Sequence, residues 1–198
     1  MNGRTKSLID EIISVEHEMF MNVKSSAPAP CQSDAEGFRI FRKAQLAGWS
    51  ASTLESYLFD LSAAKNSGMN LMTLKYGYMD RSIPYMSNAP EHASTVEKIV
   101  AIEKSWQLEI LRKYPRLLIK GRPINDGVIK THQTSFVSYL RGELQTYSLK
   151  TLKSLLEDIS ELVYKDLNRC ELVYESIVGD LGYTSIEEAN REAARRKL

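Results

Sequence analysis

Cysteine is scarce in this sequence, which contains only Cys31 and Cys170 among 198 residues. Two cysteines are too few for the disulfide framework of a small secreted protein, so we expect both thiols to be reduced. An excess of basic residues is also lacking, since the formal net charge is +1. Domains that neutralise several phosphates normally carry a clear positive charge, and we therefore predict no nucleic-acid partner.

Long apolar runs are absent as well. No stretch approaches the roughly 20 apolar residues that a membrane-spanning helix requires. The first ten residues also lack the apolar segment of a signal peptide. Together these absences predict a cytoplasmic protein with no membrane partner.

The motifs of the common enzyme classes are missing too. The sequence has no Walker loop, no Gly-x-Gly-x-x-Gly, no Gly-x-Ser-x-Gly and no zinc-ligand spacing. Helical bundles that hold two irons use Glu-x-x-His pairs. Neither Glu16 nor Glu103 has a histidine three residues later, and His17, His92 and His132 are scattered along the chain. We predict no metal site, and the sequence indicates no particular cofactor.

What the sequence does contain is helical periodicity along almost its whole length, with no convincing strand. The pattern predicts helices over about 6–21, 34–47, 52–66, 70–81 and 94–114. It also predicts helix from 134 onward, with one long helix or two consecutive helices over 148–178. Ser-x-x-Glu capping boxes at Ser52, Ser94 and Ser185 predict three of the helix starts. We expect one all-α domain over 1–198, ending in a helix over 185–198.

An internal repeat is the most informative feature. Residues 38–79 align without a gap on residues 136–177, and twelve of these 42 positions are identical. Roughly two or three identities are expected by chance at average amino-acid frequencies. Including the flanking helices, the copies extend over 6–82 and 94–180. The repeat predicts a helical bundle built from two tandem copies of one helical unit, related by pseudo-two-fold symmetry.

Four polar residues interrupt the apolar faces of these helices. Glu16 lies in the apolar stripe of the first helix, and Glu103 lies at the matching position of the second copy. Gln45 and Glu143 interrupt two aromatic faces at equivalent positions. We expect the four side chains to converge near the pseudo-two-fold axis. Buried carboxylates need counter-charges, and the sequence offers four candidates: Arg42, Lys43, Arg122 and Arg141.

Two interpretations of this cluster remain open. It is either a purely structural Glu/Arg network, or the lining of a pocket for a small polar metabolite. In the pocket interpretation the acid/base groups are Glu16, Glu103 and Glu143, and the ligand-binding residues are Gln45, Arg42, Arg122, Arg141 and Tyr139. The alternative function is a non-catalytic adaptor that binds a protein partner or forms a homodimer.

Several short segments resemble one bacterial family, the domain of unknown function numbered 4125. The segments that carry the resemblance are Cys31-Gln32, Arg42-Lys43-Ala44-Gln45 with Trp49, Glu55-Ser56-Tyr57-Leu58, Gly121-Arg122-Pro123, and Tyr139-Leu140-Arg141-Gly142-Glu143-Leu144 followed by Thr146-Tyr147-Ser148. The resemblance extends from about Ile9 to Ala189. It implies a bacterial, cytosolic, helical protein, and it implies no activity, cofactor or catalytic residue.

Overall fold

The computed structural model describes residues 3–23, 33–87, 89–118, 121–126 and 134–195, and within these ranges it contains helices and no strand. The prediction of an all-α fold is confirmed. Cys31 and His132 lie outside the described residues. The helices are α1 (Gly3–Met21), α2 (Ala35–Gln45), α3 (Ala51–Asn66), α4 (Leu71–Met79), α5 (Pro90–Lys113), α6 (Phe136–Leu144), α7 (Leu149–Tyr164), α8 (Arg169–Asp180) and α9 (Ile186–Arg195).

The region 148–178 forms two helices rather than one. Helix α7 ends at Tyr164, and Asp166 adopts a left-handed backbone conformation with φ of 55°. The Leu167 amide then donates to the Leu162 carbonyl at 2.9 Å. This combination is a common way to end a helix, because it satisfies a carbonyl that the terminated helix leaves without a partner.

Two of the three predicted capping boxes were wrong. The side chain of Ser50, not Ser52, accepts from the Thr53 amide at the start of α3. Helix α5 begins at Pro90, one turn before Ser94, because proline at the first helical position needs no amide partner. The third predicted helix start is confirmed, since Ser185 accepts from the Glu188 amide at 3.2 Å, but the Glu188 carboxylate accepts from the Thr184 amide rather than from that of Ser185.

The helices pack in two similar groups. Helix α1 packs along α3, and α5 packs along α7 in the second half. Three contacts join the halves: α3 against α7, α2 against α8, and α4 against α6. Helix α9 packs on α8. The core lies between these layers, and its completely buried members include Ile12, Leu54, Leu61, Val96, Leu152 and Ile159.

Several contacts of the first half have counterparts in the second. The Asn70 side-chain amide donates to the Met19 carbonyl at 2.7 Å, and the Asn168 amide donates to the Trp106 carbonyl at 3.2 Å. Both asparagines also cap the helices that follow them. These contacts are consistent with the predicted duplication, which itself stays a prediction.

The start of each of the two central helices is held by an aspartate of the other. Asp158 of α7 accepts from the Ser50 amide at 2.8 Å, and Asp60 of α3 accepts from the Ser148 amide at 2.9 Å. Each aspartate lies late in its own helix, so α3 and α7 run antiparallel.

None of the described helices combines the length and the low charge that crossing a bilayer requires.

Candidate functional site

Glu16 lies near the end of α1, and its side chain is completely buried. Arg42 of α2 donates to both carboxylate oxygens, from Nε at 2.7 Å and from Nη2 at 2.5 Å. The hydroxyl of Tyr57 on α3 donates a third hydrogen bond at 2.6 Å. Glu16 therefore has both an opposite charge and several hydrogen bonds, which offset the cost of burying a carboxyl group.

Glu143 of α6 has a similar set of partners. Its Oε1 accepts from Arg42 Nη1 and from the Tyr147 hydroxyl, both at 2.8 Å. Its Oε2 accepts from Lys75 Nζ on α4, also at 2.8 Å. Arg42 Nη1 additionally donates to Gln45 Oε1. One guanidinium thus joins both carboxylates and the amide.

We call six of these side chains the buried charge network: Glu16, Arg42, Tyr57, Lys75, Glu143 and Tyr147. Five of them come from α1, α2, α3, α4 and α6, and Tyr147 follows α6 directly. Two carboxylates face one guanidinium and one ammonium, so the network is electrically balanced. All six residues are buried.

Glycine 142 permits the approach of α6 to α4 that brings Glu143 to Lys75. A Cβ at Gly142 would lie 2.7 Å from Met79 Cγ and 3.1 Å from the Lys75 carbonyl oxygen. Real Cβ atoms almost never approach as closely as 2.7 Å, and a distance of 3.1 Å is tighter than most Cβ contacts, so a larger residue would force Met79 or the helix backbone to shift. The residue before Glu143 therefore sets the distance across which the ion pair forms.

The surroundings of Glu143, Arg42 and Lys75 favour the ionised form of each side chain. Burial by itself raises the pKa of the Glu143 carboxyl, but Arg42 and Lys75 outweigh burial and hold that pKa well below its usual range. Burial opposes the charges of Arg42 and Lys75, yet the adjacent carboxylates raise both pKa values above their ordinary levels. Burial and nearby carboxylates raise the pKa of the Tyr57 hydroxyl well above its usual value, so it remains a hydrogen-bond donor.

Aromatic rings cover one side of the network. The centroids of Tyr57 and Tyr147 are 4.6 Å apart, and Trp49 makes edge contacts with both rings at 5.7 and 6.0 Å. The Trp49 indole N–H is buried and has no hydrogen-bond partner in the described structure. This apolar wall excludes water from the ion pairs and strengthens them.

On another side, Tyr139 of α6 separates the network from the surface. Lys75 Nζ donates to the Tyr139 hydroxyl at 2.7 Å and lies 4.0 Å from the ring centroid. The exposed guanidinium of Arg122 lies 4.7 Å from the same centroid. Arg122 Nη1 also donates to the Thr134 carbonyl at 3.1 Å. Half-buried Tyr139 is therefore the residue between Lys75 and solvent-exposed Arg122.

Glu103 of α5 belongs to a different ion pair. Arg169 Nε on α8 donates to Glu103 Oε1, and Arg169 Nη1 donates to the backbone carbonyl of Gln45 at 2.8 Å. The Cys170 thiol also donates to Glu103 Oε2 at 3.5 Å, and burial raises the pKa of this thiol well above its usual value. Gln45 links this pair to the buried charge network, since Arg169 donates to its backbone carbonyl and Arg42 donates to its side chain.

The structure brings together half of the residues that the sequence singled out. Glu16, Arg42, Gln45 and Glu143 meet, and Tyr139 borders them. Three other predicted residues lie apart, because Glu103 binds Arg169, Arg122 lies beyond Tyr139, and Arg141 binds Glu97 at the surface through bonds of 2.7 and 3.0 Å. The fourth candidate counter-charge, Lys43, contacts Asp180 instead.

Sequence reasoning missed several partners, chiefly Lys75, Tyr57, Tyr147 and Arg169. A signal for Lys75 was present, since it is the only charged residue of α4 and follows four residues without charge. Among the described residues, no group of three or more His, Cys, Asp or Glu side chains is placed to hold a metal ion.

Comparison with known proteins identifies the family and nothing finer. No significant match was found among curated proteins or among solved structures. The family model described as "Protein of unknown function (DUF4125)" matches residues 6–191. This match covers nearly the whole chain and agrees with the resemblance of the Gly121-Arg122-Pro123 and Tyr139–Leu144 segments. The chain belongs to this family.

Proposed function

We propose that the chain is a non-catalytic helical adaptor, in which the buried charge network holds five helices together and carries out no reaction. The observation that carries the proposal is that both glutamates of the network, Glu16 and Glu143, already have a full set of partners. Glu16 accepts three hydrogen bonds, and so does Glu143. Arg42 uses all three of its guanidinium nitrogens within the network.

Acid/base catalysis requires different properties. A general acid or base needs a pKa near the working pH and a route to the substrate. The pKa of Glu143 is held well below that range, and its carboxylate is buried. A ligand would also have to displace the existing ion pairs of Arg42. The assignment of Glu16, Glu103 and Glu143 as catalytic groups stays a prediction that this geometry does not favour.

An adaptor also needs exposed apolar surface, and the corner between α7 and α8 provides it. Val163, Tyr164 and Leu167 lie within five residues, and their exposed fractions are 51%, 90% and 44%. Large apolar side chains that cluster at a surface are typical of protein contacts. We propose that a protein partner with an apolar contact surface binds at this corner.

A second candidate function, binding of a small polar metabolite, rests on Tyr139. This half-buried ring is the barrier between Lys75 and the surface. Rotation of the ring would expose the Lys75 ammonium beside Arg122, and two cations that converge on one opening suit an anionic group. The cytoplasmic location and bacterial origin that the sequence predicts belong to the proposal in both cases.

The first test replaces the charge of the network by apolar groups of similar size. The variant carries Glu16→Met, Arg42→Met, Lys75→Met and Glu143→Met, together with Tyr57→Phe and Tyr147→Phe. Exchanging a complete buried ion network for apolar residues is often neutral or stabilising. We expect cooperative thermal unfolding no more than about 4 °C below that of the wild type. We also expect this variant to restore the wild-type phenotype when it is expressed in a strain that lacks the chain.

A matched surface variant carries Val163→Ser, Tyr164→Ser and Leu167→Ser. We expect it to unfold at the wild-type temperature. We also expect it not to restore the wild-type phenotype of the same strain, because it lacks the surface that binds the partner. The opposite pattern, with a folded network variant that fails and a surface variant that succeeds, would overturn the adaptor function. Should the six-residue variant not fold, the pair Lys75→Met and Glu143→Met provides the same test with one ion pair removed completely.

A further inference from the structure

A cleft of about 290 Å³ lies between α1 and α2. Its lining consists of Lys6, Ile9, Asp10, Ile13, Arg39 and Lys43. The α1 residues lie three to four positions apart and therefore share one face of the helix, and Arg39 and Lys43 lie one turn apart on α2. None of these six side chains belongs to the buried charge network.

The lining is rich in positive charge, and one of its cations has hydrogen-bonding capacity to spare. Lys43 is already bound to both carboxylate oxygens of Asp180 at 2.8 Å. Arg39, in contrast, lies 3.9 Å from Asp10 and 3.8 Å from Glu36, beyond hydrogen-bond distance. No described residue accepts a hydrogen bond from the Arg39 guanidinium. Its planar set of donors is therefore available to a ligand.

The floor of the cleft is apolar. Ile9 and Ile13 are almost completely buried, yet both contribute to the lining. A ligand that placed only a charged group here would leave this apolar surface in contact with water. The cleft is slightly smaller than the roughly 300–1,000 Å³ that drug-sized ligands occupy. Cations at the rim and isoleucines at the floor suit a small molecule with an anionic head and a short apolar stem.

The net charge of the residues that line the cleft indicates the charge of the ligand's head group. Lys6, Arg39 and Lys43 face Asp10, and Asp180 neutralises Lys43. One positive charge is then uncompensated by the lining. Glu36, which is 74% exposed, contacts Arg39 only at 3.8 Å and is free to move into solvent when a ligand binds. This balance favours a singly charged head over a doubly charged phosphate monoester.

We infer that this cleft binds a carboxylate on a short apolar stem, with the carboxylate on Arg39 and the stem against Ile9 and Ile13. Lys6 contributes a second positive charge at the rim. The Arg39 guanidinium takes the carboxylate in a two-bond arrangement, because its fork of N–H donors matches the two oxygens. This binding site is independent of the adaptor function proposed above, so either can fail without the other.

The test is a titration of the ¹⁵N-labelled full-length chain with sodium hexanoate, followed by amide chemical shifts. We expect saturable shifts confined to residues 6–13 and 36–43, with an affinity in about the millimolar range for a ligand of this size. Arg39→Gln should weaken binding at least tenfold. Arg4→Gln is the matched control, because it removes an exposed arginine of α1 that pairs with Glu55 and does not line the cleft.

Three probes with the same stem decide the head group. If hexanol or hexylammonium shifts the same amides as strongly as hexanoate does, the inference is overturned, because the cleft then selects only the apolar stem. Hexyl phosphate that binds more tightly than hexanoate would overturn the assignment of a singly charged carboxylate. Equal loss of binding in Arg4→Gln and Arg39→Gln would also contradict it, and Lys6→Gln repeats the test if Arg39→Gln does not fold.

Discussion

Two buried glutamates, one in each half of the chain, hold matching positions but have different partners. Glu16 of α1 binds Arg42 and Tyr57, whereas Glu103 of α5 binds Arg169 and Cys170. Arg42 comes from the helix that follows α1 in sequence. Arg169 comes from α8, three helices after α5. Similar helix positions thus bury a carboxylate in both halves, but the packing of distant helices determines which cation neutralises it.

The largest expected difference between the two halves concerns their arginines. Arg42→Met leaves Glu16 and Glu143 without their shared cation, and removal of one member of a buried network costs about 3–5 kcal/mol. Arg169→Met leaves one buried carboxylate, Glu103, without its cation instead of two, so we expect a smaller loss, of about 3 kcal/mol. Urea unfolding of both variants measures the difference. An equal or larger loss in Arg169→Met would mean that Arg42 is not the centre of the network.

Substitutions at two glycines, Gly142 in α6 and Gly179 in α8, compare a crowded helix contact with an open one. Gly142→Ala forces α6 away from α4, since the new Cβ would meet Met79 and the Lys75 backbone. We expect a loss of about 1–3 kcal/mol from this overpacking. Gly179→Ala in α8 meets no atom within 4 Å and should be neutral or stabilising by up to about 1 kcal/mol. Similar effects of both substitutions on the free energy of unfolding would contradict the close approach described here.

Acid should weaken the ion pairs that Glu143 forms with Arg42 and Lys75. The pKa of Glu143 is depressed in the folded chain, so its contribution to stability is present above its unfolded value of about 4.3 and is lost as the pH falls. Below about pH 5, wild-type stability should fall by up to about 1.4 kcal/mol per pH unit for this one proton. Glu143→Gln should be less stable at pH 7 and should show a shallower decline toward pH 3.

The control for this pH series is Glu97→Gln. Arg141 lowers the pKa of Glu97 at the surface, but solvent screens that pair. Urea unfolding between pH 3 and pH 7 should therefore show a smaller change of slope in this variant. A slope that Glu143→Gln leaves unchanged would mean that Glu143 carries no pH-dependent stability.

The smallest effects concern the reciprocal contacts between α3 and α7. Asp60 accepts from Ser148 and Thr151, and Asp158 accepts two hydrogen bonds from Ser50. Asp60→Ala and Asp158→Ala should each cost about 1 kcal/mol. If the halves are equivalent here, the two losses agree within about 0.5 kcal/mol. A clear difference in urea unfolding would limit the predicted symmetry to the backbone.

The helices and the two carboxylates of the network were predictable from the sequence, because both depend on local periodicity. Glu16 and Glu143 stand out since each replaces an apolar residue at helical spacing. Lys75 was missed because an isolated lysine is normally assigned to the surface, and only the contact of α4 with α6 buries it. Arg141 was wrongly grouped with the buried cations, although it lies two residues from Glu143 in α6 and side chains at this spacing point to different sides of a helix.

Helix boundaries show the same limit. The capping box at Ser94 satisfies the sequence pattern, but Pro90 begins α5 a turn earlier. Capping signals describe where a helix is able to start, whereas packing of His92 against the Tyr147 carbonyl, at 3.0 Å, makes the extra turn part of the core. Contacts between residues 55 positions apart are not contained in a local pattern.

The span of the buried charge network has a consequence for the order in which the chain folds. Arg42 and Lys75 are 101 and 68 residues away from Glu143, so both cations leave the ribosome well before α6 is synthesised. Until α6 is synthesised, the first half contains two cations of the network, Arg42 and Lys75, but only one of its carboxylates, Glu16. An ammonium without a counter-charge is costly to bury, so α4 cannot take its final place early. The completion of α6 is therefore the event that allows the first half to close.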